Sequence, residues 1–318
     1  MIENQRIIKR VVGEMGGTIE EIAPERKYFC INISGEKIFV SRKFEIASDF
    51  FSGKALTACK DLTYVALKEN GLPTPKSVCL YRKTLAESAL GEKLAPLNYP
   101  LVIKDAKGSN SKGVFTDIKT VENAKEIIMR EIENFSSLIV QEMVFGREYR
   151  VLVLKNKAIG VLEMIPPRIF GDGESTVKEL IEKKQTRRYA RTKPDKALNE
   201  ILQEQGITLG DILEKNREIF IKKNSCLAEG GETRDVTALI NPEIERICAK
   251  AAMAVGKYLV GIDLICDNIS KRPTEQAINI LEINGKPDLY IHYKPTHGKT
   301  RNVIKDIIEF ILKLKREQ

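Results

Sequence analysis

Histidine and paired cysteines are scarce in this sequence, and their scarcity limits its chemistry. The histidines of the 318-residue sequence are His292 and His297, and no HExxH motif occurs. Histidine-based zinc hydrolysis is therefore nearly excluded, and a Ser-His-Asp triad would have to use one of these two residues. The six cysteines are far apart and form no CxxC pair. This spacing argues against a disulfide framework and against a thiolate zinc site.

The sequence also lacks any long apolar run. No stretch of about 18 uncharged apolar residues occurs, so we expect no transmembrane helix and no membrane partner. Residues 1–6 lack the basic-then-apolar layout of a signal peptide, and we expect a cytoplasmic protein. A content of 42% hydrophobic and 30% charged residues is typical of a folded chain. Its 318 residues correspond to about two domains.

Basic residues exceed acidic ones, 52 to 44, which gives a net charge of +8. A solvated surface explains this excess, but an anionic small-molecule site or a nucleic-acid site would also explain it. The densest basic stretch, residues 183–193, contains one aromatic residue, Tyr189. It would make a poor platform for stacking bases, so nucleic-acid binding rests on the charge balance alone.

Helical and strand-like segments alternate along the chain, which favours an α+β or α/β fold. The spacing of apolar residues, with capping residues such as Thr120 and Asn241, predicts helices from about residue 60, over 121–132, from residue 242 and near the C-terminus. Strands are predicted at residues 19–23, 29–41, 99–104, 138–140, 149–154, 158–162, 259–265 and 278–283. We interpret residues 91–98 as a linker.

A small basic loop follows the strand that ends at Lys104. Gly108 and Gly113 flank this loop, and such loops let backbone N–H groups approach phosphate oxygens. It is not a Walker A loop, because Val114 stands where lysine is required. Taken alone, an ordinary hairpin turn explains the segment better.

Two predicted strands near the C-terminus carry oxygen ligands among apolar residues. Side chains alternate faces on a strand, so Glu282 and Asn284 project to the same side. With Asp263 on a neighbouring strand, they would make a site for a hard cation such as Mg²⁺. The other interpretation places Asp263 and Glu282 at solvent-exposed strand ends. The two together favour a functional site, because an unpaired buried carboxylate is costly.

A third segment, residues 140–150, joins an apolar strand to a second strand that carries Glu148 and Arg150. A short connection of this kind could form an adenine-binding hinge. By itself it cannot be distinguished from a β-hairpin.

In this order and spacing, the three segments resemble the ATP-grasp superfamily of ligases, in particular the ATP-grasp domains of cyanophycin synthetase and bifunctional glutathione synthetase. The likeness covers about residues 55–312, and its most specific stretches are residues 146–153, 165–181, 230–237, 261–265 and 282–287. It implies an α+β ATP-grasp fold in which two subdomains clasp ATP. The implied parts are a reduced N-terminal segment at 1–55, subdomains at 56–145 and 146–318, and a helical insertion at about 171–220.

The resemblance also implies the residues that bind ATP. Two lysines, Lys60 and Lys104, would contact the phosphates, together with Ser109, Ser111 and Gly113 of the flexible loop. At the adenine, the residues would be Gln141, Glu142 and Val144. At the ribose, the residue would be Glu148. Gln141 stands where the family often has Glu. Glu142 and Val144 would use their backbone groups.

For the metal and the substrate, the resemblance implies two Mg²⁺ ions, with Mn²⁺ as the alternative, held by Asp263, Glu282 and Asn284. Arg150 and Arg301 resemble arginines near the acyl phosphate and the substrate carboxylate, with Arg150 and Lys104 as the catalytic residues. Lys286 would lie near the substrate as well, although a plain surface role is equally open.

The implied reaction joins a carboxylate to an amine through an acyl phosphate, releasing ADP and phosphate, on an amino acid or a small peptide. Two departures favour an alternative, an ATP-binding module without turnover. Ala228-Glu229 replaces the family's Ser-Thr, and Lys286 to Asp288 replace its small residues. Because the metal ligands are intact, we expect catalysis. Related ligases also suggest a homo-oligomer.

Overall fold

The computed structural model of the chain describes residues 3–23, 28–41, 51–108, 113–185 and 195–317. The helices are α1 Glu3–Glu14, α2 Phe51–Leu56, α3 Lys60–Glu69, α4 Leu90–Leu94, α5 Val121–Ile132, α6 Val177–Gln185, α7 Lys196–Glu204, α8 Pro242–Ala254, α9 Tyr290–Tyr293 and α10 Val303–Arg316. The strands are β1 Thr18–Ala23, β2 Tyr28–Ile33, β3 Glu36–Ser41, β4 Ser77–Tyr81, β5 Leu101–Asp105, β6 Val114–Ile118, β7 Ser137–Glu142, β8 Arg147–Leu154, β9 Lys157–Ile165, β10 Arg168–Phe170, β11 Glu218–Phe220, β12 Glu232–Asp235, β13 Leu259–Cys266 and β14 Asn279–Asn284. In the described ranges, no helix has the length and apolar character needed to cross a membrane.

The chain divides into two units. The first contains Met1–Leu162, Asp235–Lys294 and Lys299–Gln318, and the second contains Glu163–Arg234 and Pro295–Gly298. The predicted insertion at about 171–220 falls in the chain segment of the second unit. The predicted three-part division of the chain stays a prediction.

In the first unit, an antiparallel sheet has the strand order β4-β7-β5-β6. Helices α4 and α5 cover one face through a core that includes Leu80, Ile103 and Leu138. As predicted, Thr120 caps α5, and its hydroxyl accepts a hydrogen bond from the Asn123 N–H. Because neighbours along a strand face opposite sides, the other face carries a row of Ser77, Gln141 and Val102 and a row of Cys79, Ile139 and Lys104.

A second sheet of this unit contains β9, β8, β13 and β14 in that order. One face packs on α8, with Val151, Val260 and Ile262 fully buried. On the other face, Leu152 and Leu259 share a core with α10, α1 and the β1-β2-β3 sheet. The described apolar residues of α1, β2 and β3 are therefore an integral part of this core.

In the second unit, β10 and β11 pair antiparallel. Their inward residues Ile169 and Ile219 form a core with residues of α6 and α7. Asp195 caps α7 by accepting a hydrogen bond from the Leu198 N–H. The boundary between the units falls within β9 and within β12.

The antiparallel sheets and separate helices confirm the α+β class. One prediction was wrong, since residues 91–98 are not a plain linker but include most of α4, whose Leu90 and Leu94 are buried in the core. Helices α6 and α7 lie within the predicted helical insertion at about 171–220. The sequence interpretation missed the elements α1, α2, α9, β4, β6, β10, β11 and β12.

Candidate active site

Three strands bring Arg150, Asp263 and Glu282 into one row across the sheet. Asp263 of β13 lies opposite Arg150 of β8 on one side and opposite Glu282 of β14 on the other. Residues directly opposite in an antiparallel pair share a face. Asn284, two residues beyond Glu282, shares this face too. The three predicted metal ligands and Arg150 are thus brought together, while their roles stay predictions.

Both oxygens of Asp263 accept hydrogen bonds from Arg150. The Arg150 Nε donates to Oδ1 at 2.6 Å, and Nη2 donates to Oδ2 at 2.8 Å. The Asn284 amide also donates to Oδ2, at 3.2 Å. Asp263 is 8% exposed, and its negative charge raises the pKa of Arg150. This pairing stabilises a carboxylate that would be costly to bury alone.

Glu282 is less well compensated than Asp263. Burial raises the pKa of Glu282, and the nearby charge of Asp263 adds to the rise, while Lys60 opposes it. The Lys60 Nζ lies 4.0 Å from the Glu282 Oε2. A bound cation would stabilise the ionised carboxylate of Glu282 and so oppose this rise in its pKa.

The residues present fit a hard divalent cation, because the side chains of Asp263, Glu282 and Asn284 supply oxygen atoms, the donors that Mg²⁺ prefers. Over the part of the chain that the structure describes, no group of three or more His, Cys, Asp or Glu side chains is placed to hold a metal. The remaining ligands would have to come from elsewhere, and substrate phosphates commonly supply them.

The two predicted phosphate lysines reach the same cluster from different elements. Lys60 begins α3, where its backbone N–H donates to the Ala106 carbonyl at 2.7 Å and its Nζ donates to the Gly108 carbonyl. Lys104 lies on β5, and burial lowers its pKa while the charge of Glu282 opposes the change. Two lysines therefore share an electrostatic environment with the carboxylates.

The predicted phosphate loop joins β5 to β6, which pair antiparallel. The hairpin geometry is therefore present, as the simpler interpretation predicted. At its base, the Asp105 N–H donates to the Gly113 carbonyl at 3.0 Å, and Gly113 has a φ of +67° that favours glycine. Ser109 and Ser111 lie outside the described residues, and their phosphate contacts stay predictions.

The connection after Glu142 is not a hairpin, because β7 and β8 belong to different sheets. The alternative left open by the sequence is therefore wrong for this segment. Gly146 has a φ of +139°, and a Cβ there would lie 3.0 Å from the backbone of Cys266. Among the described residues, none forms a hydrogen bond with the backbone of Val144. Its N–H and carbonyl groups are therefore available to a bound ligand.

The neighbours of this connection are held in place. The Glu142 carboxylate accepts hydrogen bonds from the backbone N–H and side-chain amide of Asn98, each at 2.9 Å. Gln141 is 3% exposed and lies on the Lys104 face of its sheet. Glu148 lies two residues before Arg150 on β8 and so shares its face.

Arg301 is not in the Arg150 row but in a separate ion pair. Its Nη2 donates to Asp235 at 2.7 Å and its Nε at 3.1 Å. Burial opposes the change, but the hydrogen bonds from Arg301 and Thr237 lower the pKa of Asp235. Lys286 is exposed. The sequence interpretation missed Asp235, although it lies within the resembling stretch 230–237.

His292 is a second missed residue, fully buried with neither ring nitrogen bonded to a described group. Burial, and then the charge of Arg150, lower its pKa to about 3, so the ring is neutral near pH 7. A Cβ at Gly160 would lie 2.7 Å from the His292 Nδ1. Only glycine at 160 leaves room for this ring.

In the second unit, Glu232 is the centre of an ionic cluster. Its carboxylate accepts from Lys184 at 2.8 Å, contacts the His297 Nε2 at 3.0 Å and accepts from Arg168 at 3.1 Å. Although burial opposes the change, these partners lower the pKa of Glu232 to about 2. Arg168 also donates to Glu218 at 2.5 Å. Arg168 and Glu232 lie in the resembling stretches 165–181 and 230–237, but the sequence did not indicate that they meet, because they are 64 positions apart in the chain.

Comparison with known proteins places these features in a family context. Residues 57–189 match the ATP-grasp domain family. The chain is 29% identical over 266 residues to a cyanophycin synthetase of Crocosphaera subtropica, covering 80% of this chain and 30% of that protein. It is 27% identical over 295 residues to a glutathione biosynthesis bifunctional protein of Clostridium perfringens, covering 87% of this chain and 37% of that protein.

Among solved structures, a bifunctional glutathione synthetase from Pasteurella multocida superposes with a TM-score of 0.72 at 20% identity, over 97% of this chain and 44% of that chain. This likeness shows the fold. The chain spans about one third of the length of the curated relatives described above, 30% and 37%.

Proposed function

We propose, from the ATP-grasp domain that this chain contains, that the protein is an ATP- and Mg²⁺-dependent carboxylate–amine ligase. The observation that carries the proposal is the row of Arg150, Asp263 and Glu282, with Lys60 4.0 Å from Glu282. Cations and paired carboxylates at one place are the groups that phosphoryl transfer requires. The names of the similar proteins support an amino acid or a small peptide as substrate.

The reaction begins when a carboxylate oxygen of the substrate attacks the γ-phosphorus of ATP. A bond forms between them, the bond to the ADP oxygen breaks, and an acyl phosphate results. An amine then attacks the carbonyl carbon, phosphate leaves with its electron pair, and the amine loses a proton. The products are an amide, ADP and phosphate. No protein nucleophile takes part in either step.

The protein contributes charge and position. Lys60 and Lys104 would offset the negative charge of the phosphates, and Arg150 would bind the acyl phosphate. Asp263, Glu282 and Asn284 would hold Mg²⁺ or Mn²⁺, which when bound neutralises phosphate oxygens. Gln141 and the backbone of Glu142 and Val144 would bind the adenine.

Holding both substrates in place supplies a large part of the rate, because it replaces encounters in solution. The loop that contains Ser109 and Ser111 would exclude water from the acyl phosphate. Glu148 would bind the ribose, and Arg301 and Lys286 the substrate. A homo-oligomer in the cytoplasm is part of the same proposal.

The test is nucleotide-product release by the purified chain with ATP and Mg²⁺, against pools of amino acids and short peptides, with mass spectrometry of the products. We expect ADP and phosphate to appear with certain pools only, alongside a mass equal to two components less water. AMP and pyrophosphate would overturn the acyl-phosphate reaction. Bound ATP without release in any pool would favour the non-catalytic module.

The metal assignment has its own variants. Asp263→Asn and Glu282→Gln should each abolish release while the thermal unfolding midpoint of the metal-free protein shows that the fold is kept. Glu126→Gln, at an exposed position of α5, is the matched control and should release ADP like the unmodified chain. Near-normal release by Glu282→Gln would show that the metal assignment is wrong.

A further inference from the structure

The side-chain amide of Gln141 is held by a short chain of hydrogen bonds that begins at a backbone carbonyl. The Ser77 hydroxyl donates to the Pro75 carbonyl at 2.7 Å. The Gln141 Nε2 donates to the same hydroxyl at 2.9 Å. Ser77 and Gln141 lie directly opposite each other on β4 and β7, so the strand register fixes both ends of this contact.

These contacts determine which way the amide of Gln141 faces. A carbonyl can only accept, so the single hydroxyl proton of Ser77 is committed to Pro75. The Ser77 oxygen then has only lone pairs to offer, and its partner on Gln141 must be the NH₂ group rather than the oxygen. The amide oxygen is directed away from Ser77.

The Gln141 side-chain oxygen is therefore the last atom of this series of hydrogen bonds and is left to accept from a ligand. No donor among the described residues reaches it, and it is not one of the fully buried side-chain atoms without a partner. Gln141 lies opposite Val102 of β5, and Val102 is two residues from Lys104 on that strand. Gln141 and Lys104 therefore share one face of the sheet, about 7 Å apart along the strand direction. The oxygen thus belongs to the face that carries a proposed phosphate lysine.

We propose that Ser77 is a positioning residue that fixes the Gln141 amide with its oxygen toward the nucleotide base, and that this arrangement selects adenine over guanine nucleotides. The inference rests on the proposed ATP site. Adenine carries an amino donor at carbon 6, whereas guanine carries an oxygen acceptor there. The Gln141 oxygen accepts from the adenine amine and opposes the guanine oxygen.

A free glutamine would not discriminate in this way, because a half-turn of its amide would offer NH₂ to guanine. Here the half-turn would place the Gln141 oxygen against the Ser77 oxygen, whose proton is already committed. It would cost one hydrogen bond and create a contact between two acceptors. Removing the hydroxyl removes this penalty, so Ser77→Ala should accept guanine more readily while still binding adenine.

The experiment measures ADP and GDP binding by isothermal titration calorimetry with Mg²⁺, which requires no knowledge of the second substrate. The unmodified chain should bind ADP more tightly than GDP. In Ser77→Ala, the dissociation constant for GDP divided by that for ADP should fall about tenfold, which corresponds to the free energy of one hydrogen bond. Ser77→Thr keeps the hydroxyl and should keep the original ratio. Ser88→Ala, which removes an exposed hydroxyl of the first unit, is the matched control.

The outcomes separate this inference from the function it rests on. An unchanged ratio in Ser77→Ala, or equal binding of ADP and GDP by the unmodified chain, overturns the role of Ser77 while ADP binding still supports the ATP site. Absence of binding by either nucleotide overturns both.

A ligand-side measurement keeps the inference testable where Ser77→Ala does not fold. Inosine diphosphate has the carbon-6 oxygen of GDP without its amino group at carbon 2. It should bind the unmodified chain as weakly as GDP does. Binding as tight as that of ADP would overturn the proposed reading of carbon 6.

Discussion

Replacing Arg150 by methionine should tighten divalent-cation binding and at the same time abolish ligation. Arg150 occupies both oxygens of Asp263, at 2.6 and 2.8 Å. A metal that binds Asp263 must compete with this guanidinium or share the carboxylate with it. The variant removes the competitor, so the carboxylate becomes fully available.

The magnitude follows from the charges. Two unit charges about 4 Å apart interact with about 4 kcal/mol at an effective dielectric constant of about 20. If the metal has to overcome one third of this attraction, about 1.4 kcal/mol, its affinity is lowered about tenfold. We therefore expect Arg150→Met to bind Mn²⁺ at least about tenfold more tightly. Arg150→Lys, which keeps the charge but loses the two-pronged contact, should be intermediate.

The assay is a titration with Mn²⁺ in which electron paramagnetic resonance reports the free ion. Asp263→Asn serves as the reference for this site and should lose the tight binding. Equal or weaker Mn²⁺ binding by Arg150→Met than by the unmodified chain would refute the reasoning. ADP release by Arg150→Met should be lost in either case, because the cation near the acyl phosphate is missing.

Three further predictions concern titratable side chains, Lys104, His292 and Glu232. Lys104→Met should weaken ADP binding at least about tenfold in calorimetry, because a charge-assisted contact to phosphate is lost. The pKa of about 3 for His292, against its ordinary 6.5, means that the unfolded chain binds a proton there first as the pH falls. The neutral His292 ring therefore contributes its full stability above pH 6.5, and this contribution falls by up to about 1.4 kcal/mol per pH unit below that. In His292→Leu, the free energy of unfolding by urea should accordingly change less between pH 7 and pH 5 than in the unmodified chain. An unchanged dependence on pH would contradict a neutral buried ring. The pKa of Glu232 is about 2 against an ordinary 4.5, so its stabilising contribution is complete above pH 4.5 and is lost as the pH falls toward 2. Glu232→Gln should lower the free energy of unfolding by urea by about 1 kcal/mol at pH 7 and should remove this dependence on acid pH.

Sequence periodicity was sufficient to place the carboxylates on strands but not to pair them. The alternation around Glu282 and Asn284 correctly put both side chains on one face. That Asp263 faces Glu282 on one side and Arg150 on the other depends on strand register. A register irregularity between Asp263 and Leu264 also lies here, and no local pattern indicates it.

Other misses had different physical causes. The apolar residues of α1, including Ile7, Ile8 and Val11, recur at helical spacing, so its signal was present and was overlooked. Strands β10 and β11 have three residues each, too few for a period to be recognised. The Arg301–Asp235 pair joins residues 66 positions apart, and only tertiary folding brings them together.

The charges of the candidate site also bear on why nucleotide and metal would bind together. The cations Lys60, Lys104 and Arg150 are matched in number by the carboxylates Glu148, Asp263 and Glu282, so the ionised cluster is neutral as a whole. ATP brings about four negative charges, which two divalent cations balance and one does not. Since net charge in a half-buried site is costly, the complex of ATP with two metal ions can enter without that cost, whereas free ATP cannot. This charge balance favours the proposed binding of two divalent cations over the binding of one.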